Sequence, residues 1–180
     1  MNITVYLGSA AGKDPFYAQE AMKLGKWIGR SGNSLVYGGS RIGLMGILAQ
    51  AALEEGAVVI GVEPRFFIES VLQHDGISEL IETETMAERK ARMIELGDAY
   101  VAFPGGTGTL EEISEVVSMV RLEHMDAPVF FYNIRGYFDL LRDFFGRMVE
   151  EGFLNEETLR KLHFVSSPGE IEEVLKKGGC

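Results

Sequence analysis

Cysteine is all but absent from this chain: among 180 residues there is one, Cys180. An intrachain disulfide is therefore excluded, and a reducing, cytoplasmic setting is the expectation. Positive charge is also scarce, with 17 Lys and Arg against 27 Asp and Glu and a formal net charge of −10. Affinity for a nucleic-acid backbone or an anionic membrane rests on clustered Lys and Arg, so neither is expected as a partner. Any phosphate must be held by a local positive site. No apolar run approaches the roughly 18 residues of a membrane span. Met1-Asn2-Ile3-Thr4-Val5-Tyr6-Leu7-Gly8 reads as a strand entering a glycine turn rather than as a signal peptide. Internal repeats, low-complexity tracts and long linkers are missing too. With 46% hydrophobic and 24% charged residues, residues 1–180 are expected to form one domain around one core.

Familiar chemical signatures are absent as well. The turn at Gly105 has no Lys where a P-loop needs one, which argues against an NTPase. Neither Gly38-Gly39-Ser40-Arg41-Ile42-Gly43 nor Gly106-Thr107-Gly108-Thr109-Leu110-Glu111 follows G-x-G-x-x-G. A dinucleotide site stays open as a secondary reading, because Glu63 ends a strand 20 residues after Gly43, where a ribose-binding acid can sit. His74, His124 and His163 have no ligand spacing with a cysteine or with one another, so no metal or cofactor is expected.

What the chain does have is glycine placed between strands and helices. Ile3 to Leu7, Ser34 to Tyr37, Val58 to Val62, Tyr100 to Phe103 and Val129 to Tyr132 are short β-rich runs. Helical spacing follows in Pro15 to Ser31, Gly43 to Glu55, Met86 to Gly97, Thr109 to Met125 and Tyr137 to Glu151. A late strand near Phe164 and a helix from Pro168 to Lys177 close the chain, and Ile77 to Glu82 offers a further strand. The alternation predicts an α/β fold, a doubly wound parallel sheet of about six or seven strands with helices on both faces. Glu63 to Gly76 is the least regular stretch and reads as a loop or short helix, a candidate lid.

In such a sheet the loops after the strands gather at one edge, and ligands bind there. Three glycine loops fall on that edge: Gly8-Ser9-Ala10-Ala11-Gly12, the loop from Gly38 to Gly46, and Pro104-Gly105-Gly106-Thr107-Gly108-Thr109. One such loop is often only a tight connection; three favour a nucleotide-sized ligand. The last is the most informative. Glycines allow close approach of the backbone, and the first amides of the following helix have no partners within it, so an anion is expected there. The helix stripe is read as Leu110, Ile113, Val116, Val117 and Val120.

Two side chains stand out around that turn. Thr109-Leu110-Glu111-Glu112 matches a capping box, which gives Glu112 a purely structural reading. Glu112 also falls beside the apolar stripe in the expected first turn, next to the anion site, where a carboxylate can meet a sugar. On the preceding helix Met86, Arg89, Met93 and Leu96 share a face, and Arg89 interrupts it. A guanidinium in that position snorkels, pairs with a carboxylate or meets a ligand anion. Lys90 and Arg92 beside it are expected to be solvated, with Lys90 within reach of the same edge.

Glu88-Arg89-Lys90-Ala91-Arg92-Met93 followed by Pro104-Gly105-Gly106-Thr107-Gly108-Thr109-Leu110-Glu111-Glu112 resembles the paired R-K and P-G-G-x-G-T-x-x-E motifs of the LOG (Lonely Guy) family, long labelled lysine decarboxylases. The likeness extends from Tyr37-Gly38-Gly39 and Gly43-Leu44-Met45-Gly46 through Gly136-Tyr137 to Glu150-Glu151-Gly152-Phe153. It implies a Rossmann-like homodimer that cleaves the N-glycosidic bond of a nucleoside 5′-monophosphate, with AMP or a cytokinin riboside monophosphate as first candidates. By the same resemblance Arg89 and Glu112 match the catalytic pair. Gly38, Gly39, Lys90, Met93, Gly105, Gly106, Thr107, Gly108, Thr109 and Glu111 fall to substrate binding. Cleavage of a ribosyl C–N bond develops oxocarbenium character, which a carboxylate stabilises while it activates water.

Two departures concern the pocket: Ala87 stands where the family has His, and Glu63 where it has a small apolar residue before the proline. The loop from Arg65 to Gly76 also lacks the usual wording, so the preferred base is open. A true lysine decarboxylase needs a pyridoxal-phosphate lysine segment, and none is found. The competing reading is a non-catalytic carrier of a nucleotide-like cofactor, similar to the molybdenum-cofactor carriers. A purely protein-binding module leaves the three glycine loops without a use. Aromatic and Met residues at Met119 to Met125 and Phe138 to Met148 suit either core or a partner face.

Overall fold

A computed structural model describes residues 1–68, 74 and 76–178. Its strands are β1 (Asn2–Tyr6), β2 (Ser34–Tyr37), β3 (Val59–Pro64), β4 (Glu79–Thr83), β5 (Ala99–Ala102), β6 (Val129–Tyr132) and β7 (Leu162–Val165). They form one sheet in the order β4-β3-β2-β1-β5-β6-β7, and every pairing is parallel. The helices are α1 (Phe16–Arg30), α2 (Gly43–Glu54), α3 (Arg65–Ile68), α4 (Met86–Leu96), α5 (Thr107–Arg121), α6 (Asp139–Glu150), α7 (Glu156–Arg160) and α8 (Pro168–Gly178). The expected doubly wound α/β sheet is therefore present, and the segment around Ile77 to Glu82 supplies edge strand β4.

Alternation along each strand splits the core in two. Ile3, Val5, Leu35, Tyr37, Val101 and Phe130 face Leu24 and Ile28 of α1, Leu48 of α2 and Ile171 of α8. Tyr6, Val36, Tyr100, Ala102 and Phe131 face Met93 of α4, Ile113, Val116 and Val120 of α5, and Phe145 of α6. Central strands covered on both faces must be apolar throughout, which is why their sequences read as short continuous runs. Each fully buried Leu, Ile, Val or Phe contributes about 1.5–3 kcal/mol. Helices α1 and α2 pack closely because a Cβ at Gly25 would lie 2.4 Å from the Leu48 carbonyl oxygen.

Three element boundaries differ from expectation. Helix α5 starts at Thr107, two residues early, with Gly106 as its N-cap, and it ends at Arg121 rather than Met125. Helix α6 starts at Asp139, after a 3₁₀ turn at Ile134–Gly136. Short helix α3 falls within Glu63 to Gly76, the stretch read as a loop or short helix; α7 was not anticipated, although Asn155 caps it by accepting from the Thr158 N–H at 2.7 Å. The expected lid falls partly on residues 69–73 and 75, which lie outside the described residues. Among the described residues no helix is long and apolar enough to cross a membrane.

The strand order positions the site. The chain lays β1 to β4 outward to one edge, then returns to place β5 against the other side of β1, with Tyr6 in register with Ala102. The carboxyl ends of β1 and β5 therefore flank the switch point where a ligand crevice opens.

Candidate active site

A cleft of about 450 Å³ lies at that switch, a volume suited to a small ligand. Leu7, Gly8 and Ser9 follow β1; Gly38, Ser40, Ile42 and Met45 follow β2; Glu63 is the last residue but one of β3; Met86 and Arg89 come from α4. The far wall is Gly106, Thr107, Gly108, Thr109 and Glu112 of α5 and its N-cap.

At the α5 end the main chain makes the site. The first helical bond runs from Leu110 N–H to Gly106 O at 3.2 Å, and no side chain caps the helix. The amides of Thr107, Gly108 and Thr109 are thus left without helical partners at the positive end of the dipole. No acidic residue occupies the first turn to neutralise it. The turn is held from behind: Gly8 N–H donates to Pro104 O at 3.3 Å, and Tyr137 Oη–H donates to Gly105 O at 2.5 Å. Gly105 must be glycine, since a Cβ there would lie 2.2 Å from Thr109 Oγ1 and 2.8 Å from Gly8 N. This is an anion cradle by geometry.

Beside it lies a buried ion pair. Arg89 Nη1 donates to Glu112 Oε1 at 2.5 Å, and Arg89 Nε donates to Val62 O at 3.0 Å. The two residues are only 6% and 7% exposed, so the pair is desolvated and held in one geometry. Gly38 makes room for it, because a Cβ there would fall 2.2 Å from Arg89 Nη2. Burial pushes the Glu112 carboxyl above the usual carboxylate range, with the charge and hydrogen bond of Arg89 opposing that shift. The capping-box reading of Glu112 is corrected: Gly106, not Thr109, is the N-cap, so Glu112 sits in the second turn and its partner is Arg89.

The β3 end is different in kind. Glu63 is 3% exposed, and its Oε2 has no hydrogen-bond partner among the described residues. Burial raises its carboxyl to about 7, with Arg89 acting in the opposite direction. It packs on Gly39, whose φ of +83° and position 2.9 Å (as a built Cβ) from Glu63 Cβ both demand glycine. Ile42, Met45 and Met86 add apolar surface to the cleft lining.

Of the residues singled out in the sequence, Gly38, Arg89, Gly106, Thr107, Gly108, Thr109 and Glu112 line the cleft together. Gly39 and Gly105 stand just behind it, shaping the two loops. Lys90 turns away to Glu111 and Glu115, with Nζ–O distances of 2.7 and 3.0 Å. Met93 has no exposure and belongs to the core between α4 and the sheet, so its position does not match the expected substrate contact. Leu110, read as part of the α5 core stripe, is exposed instead. Sequence reasoning missed Tyr6 and Tyr37, whose buried hydroxyls lack partners among the described residues and are raised by burial, Tyr6 also by Glu112 and Tyr37 by Glu63. The signal was available: each is the last residue of a strand that opens into a glycine loop.

Residues 45–175 match the family model described as possible lysine decarboxylase. The chain is 40% identical over 174 residues to the cytokinin riboside 5′-monophosphate phosphoribohydrolase LOG of Oryza sativa subsp. japonica, covering 97% of this chain and 71% of that protein. It is 41% identical over 158 residues to the cytokinin riboside 5′-monophosphate phosphoribohydrolase of Rhodococcoides fascians, covering 87% and 80%. Among solved structures, the molybdenum cofactor binding protein of Rippkaea orientalis superposes with a TM-score of 0.76 at 22% identity, covering 98% and 95%, a likeness of fold.

Proposed function

The chain belongs to the LOG family, within the group described as possible lysine decarboxylases, and from that premise we propose that it hydrolyses nucleoside 5′-monophosphates to free base and ribose 5-phosphate. The observation that carries the proposal is the buried Arg89–Glu112 pair set beside the open amides of α5 in one cleft. A cofactor carrier needs the anion cradle but has no use for a desolvated carboxylate next to it.

The phosphate sits on the amides of Thr107, Gly108 and Thr109, whose charge complementarity comes from main chain and does not depend on the acidic surface. The ribose then lies against Glu112. As the C1′–N bond breaks, its electron pair leaves with the base, which takes up a proton from solvent, and positive charge grows on the sugar; the Glu112 carboxylate stabilises that charge and takes a proton from the water whose oxygen bonds C1′, releasing it to solvent afterwards. A carboxyl pushed upward by burial is a better base at neutral pH than a solvated one. Arg89 keeps Glu112 ionised and fixed in direction through its second bond to Val62 O. Holding the reactants in this way can itself lower a barrier by several kcal/mol.

Arg89 and Glu112 are accordingly the catalytic pair, with Gly38, Gly106, Thr107, Gly108 and Thr109 as direct substrate contacts and Gly39 and Gly105 as their support. Lys90 and Glu111 lie on the outer side of α4 and α5, where they brace the site rather than line it. The protein is a cytoplasmic homodimer in this reading. Exposed Leu140 and Phe144, four residues apart on α6, support a partner face. Incubation of the purified protein with AMP, followed by chromatography for adenine and ribose 5-phosphate, tests the activity; intact AMP after prolonged incubation speaks against it.

A further inference from the structure

The cleft has a polarity along its length that the reaction does not use. Its α5 end cradles an anion, the Arg89–Glu112 pair occupies the middle, and Glu63 stands at the end of β3. In the sheet β3 is three places from β5, which at about 4.8 Å per strand is roughly 14 Å across the strand ends. A mononucleotide laid across that span with phosphate on α5 and ribose on Glu112 puts its base at Glu63. The cleft lining beyond the anion cradle suits a base: Ile42, Met45 and Met86 offer apolar surface, while Glu63 and Ser40 supply polar side chains.

Glu63 is 97% buried and yet its Oε2 has no hydrogen bond among the described residues. Such a group carries a standing cost that a ligand donor removes. Among the described residues, the charged and titratable groups around it are Arg89 from α4, Tyr37 from β2, His74 beside Gly39, and Glu82, its register partner on β4, which is exposed and lies near Arg65. Arg89 already serves Val62 and Glu112. A phosphate has no donor to give at neutral pH, and the ribose hydroxyls lie in the middle of the cleft. On an adenine nucleotide, the first candidate substrate, the remaining N–H donor is the exocyclic amine of the base.

Resting on the hydrolase reading and narrowing it, we infer that Glu63 reads the base, selecting nucleotides whose base carries an unsubstituted exocyclic amine over those with an apolar chain on that nitrogen. An alkyl substituent replaces one of the two N–H donors with hydrocarbon, so the carboxyl oxygen is paired only when the single remaining N–H faces it and the chain is accommodated elsewhere. A base without the amine would leave it unpaired. Both losses follow the general rule that a site built to hydrogen-bond a polar group rejects the analogue lacking it.

The test compares AMP, N6-isopentenyladenosine 5′-monophosphate and purine riboside 5′-monophosphate on the wild type, Glu63→Gln and Glu63→Leu. Both kcat/KM and Kd by calorimetry are measured. The wild type is expected to favour AMP over each analogue by on the order of tenfold to a hundredfold, the factor for one unmade buried hydrogen bond. Glu63→Gln keeps that preference through its amide oxygen. Glu63→Leu loses it, with the prenylated nucleotide at least equal to AMP. A wild type that prefers the prenylated nucleotide overturns the inference, as does an unchanged preference in Glu63→Leu. Should Glu63→Leu not fold, the wild-type preference alone decides. Release of no base from any nucleotide would defeat the hydrolase reading instead, and the Kd ratios would still decide the role of Glu63.

Discussion

The two ends of the cleft are built on opposite principles. At α5 the cleft presents main-chain amides, and side chains serve mainly to brace the turn, as Tyr137 does through Gly105 O. At β3 the contact is a single side chain, Glu63, whose carboxyl has burial but an unpartnered oxygen. The two buried carboxylates that line the cleft make the same contrast: Glu112 has Arg89 at 2.5 Å, whereas among the described residues Glu63 has only the more distant charge of the same arginine. A site that must hold the common part of a substrate family can be written in backbone. A site that must tell members apart needs a side chain whose bonding is incomplete until the right ligand arrives.

Breaking the paired end should have the largest effect. Glu112→Gln is expected to lower turnover at least about a hundredfold while AMP still binds, because the variant keeps the cradle and loses the base. Steady-state kinetics beside calorimetric binding would show it. Arg89→Ala leaves Glu112 buried without its counter-charge and should destabilise the protein by about 3–5 kcal/mol in urea unfolding.

At the unpaired end the effect is on pH. The Glu63 carboxyl is raised from its ordinary 4.5 to about 7 in the folded protein, so the folded state holds its proton more tightly than the unfolded chain. Its contribution is fully present below about pH 4.5 and is lost as pH rises through about 7. The loss should amount to about 2–3 kcal/mol by pH 8. Glu63→Gln cannot ionise, so denaturation at pH 5 and pH 8 should show the variant gaining relative to wild type at the higher pH.

Smaller effects sharpen the contrast. Gly105→Ala presses a methyl against Thr109 and the Gly8 backbone, for an expected loss of about 1–3 kcal/mol and weaker AMP binding. Lys90→Ala removes partly solvated ion pairs to Glu111 and Glu115 and should cost about 1 kcal/mol or less in the same assay.

These differences also explain what the sequence could say. The backbone-built end was legible because its requirements fall on residue types: glycines after β5, a helix directly behind them, and an acid and an arginine at fixed spacing. The start of α5 was misplaced because Thr107 and Gly108 are poor helix formers, and it is the bracing of Pro104 and Gly105 by Gly8 and Tyr137 that starts the helix there. That shift of two residues decided whether Glu112 was a cap or a partner of Arg89. Glu63 was visible as a departure from the family pattern and as a candidate ribose-binding acid of a dinucleotide site, neither of which points to the base. Its burial, its unpartnered oxygen and its distance from the anion cradle come from β2, β3 and α4 meeting, which no local pattern encodes. Met93 illustrates the converse, since a motif position can be core on geometry alone.

The most direct measurement is release of adenine and ribose 5-phosphate from AMP by wild type, Glu112→Gln and Arg89→Lys, at equal AMP occupancy. The account predicts stoichiometric appearance of both products with wild type and a drop of at least about a hundredfold with Glu112→Gln. Undiminished release by Glu112→Gln, or binding of AMP by wild type with no release at all, would contradict it.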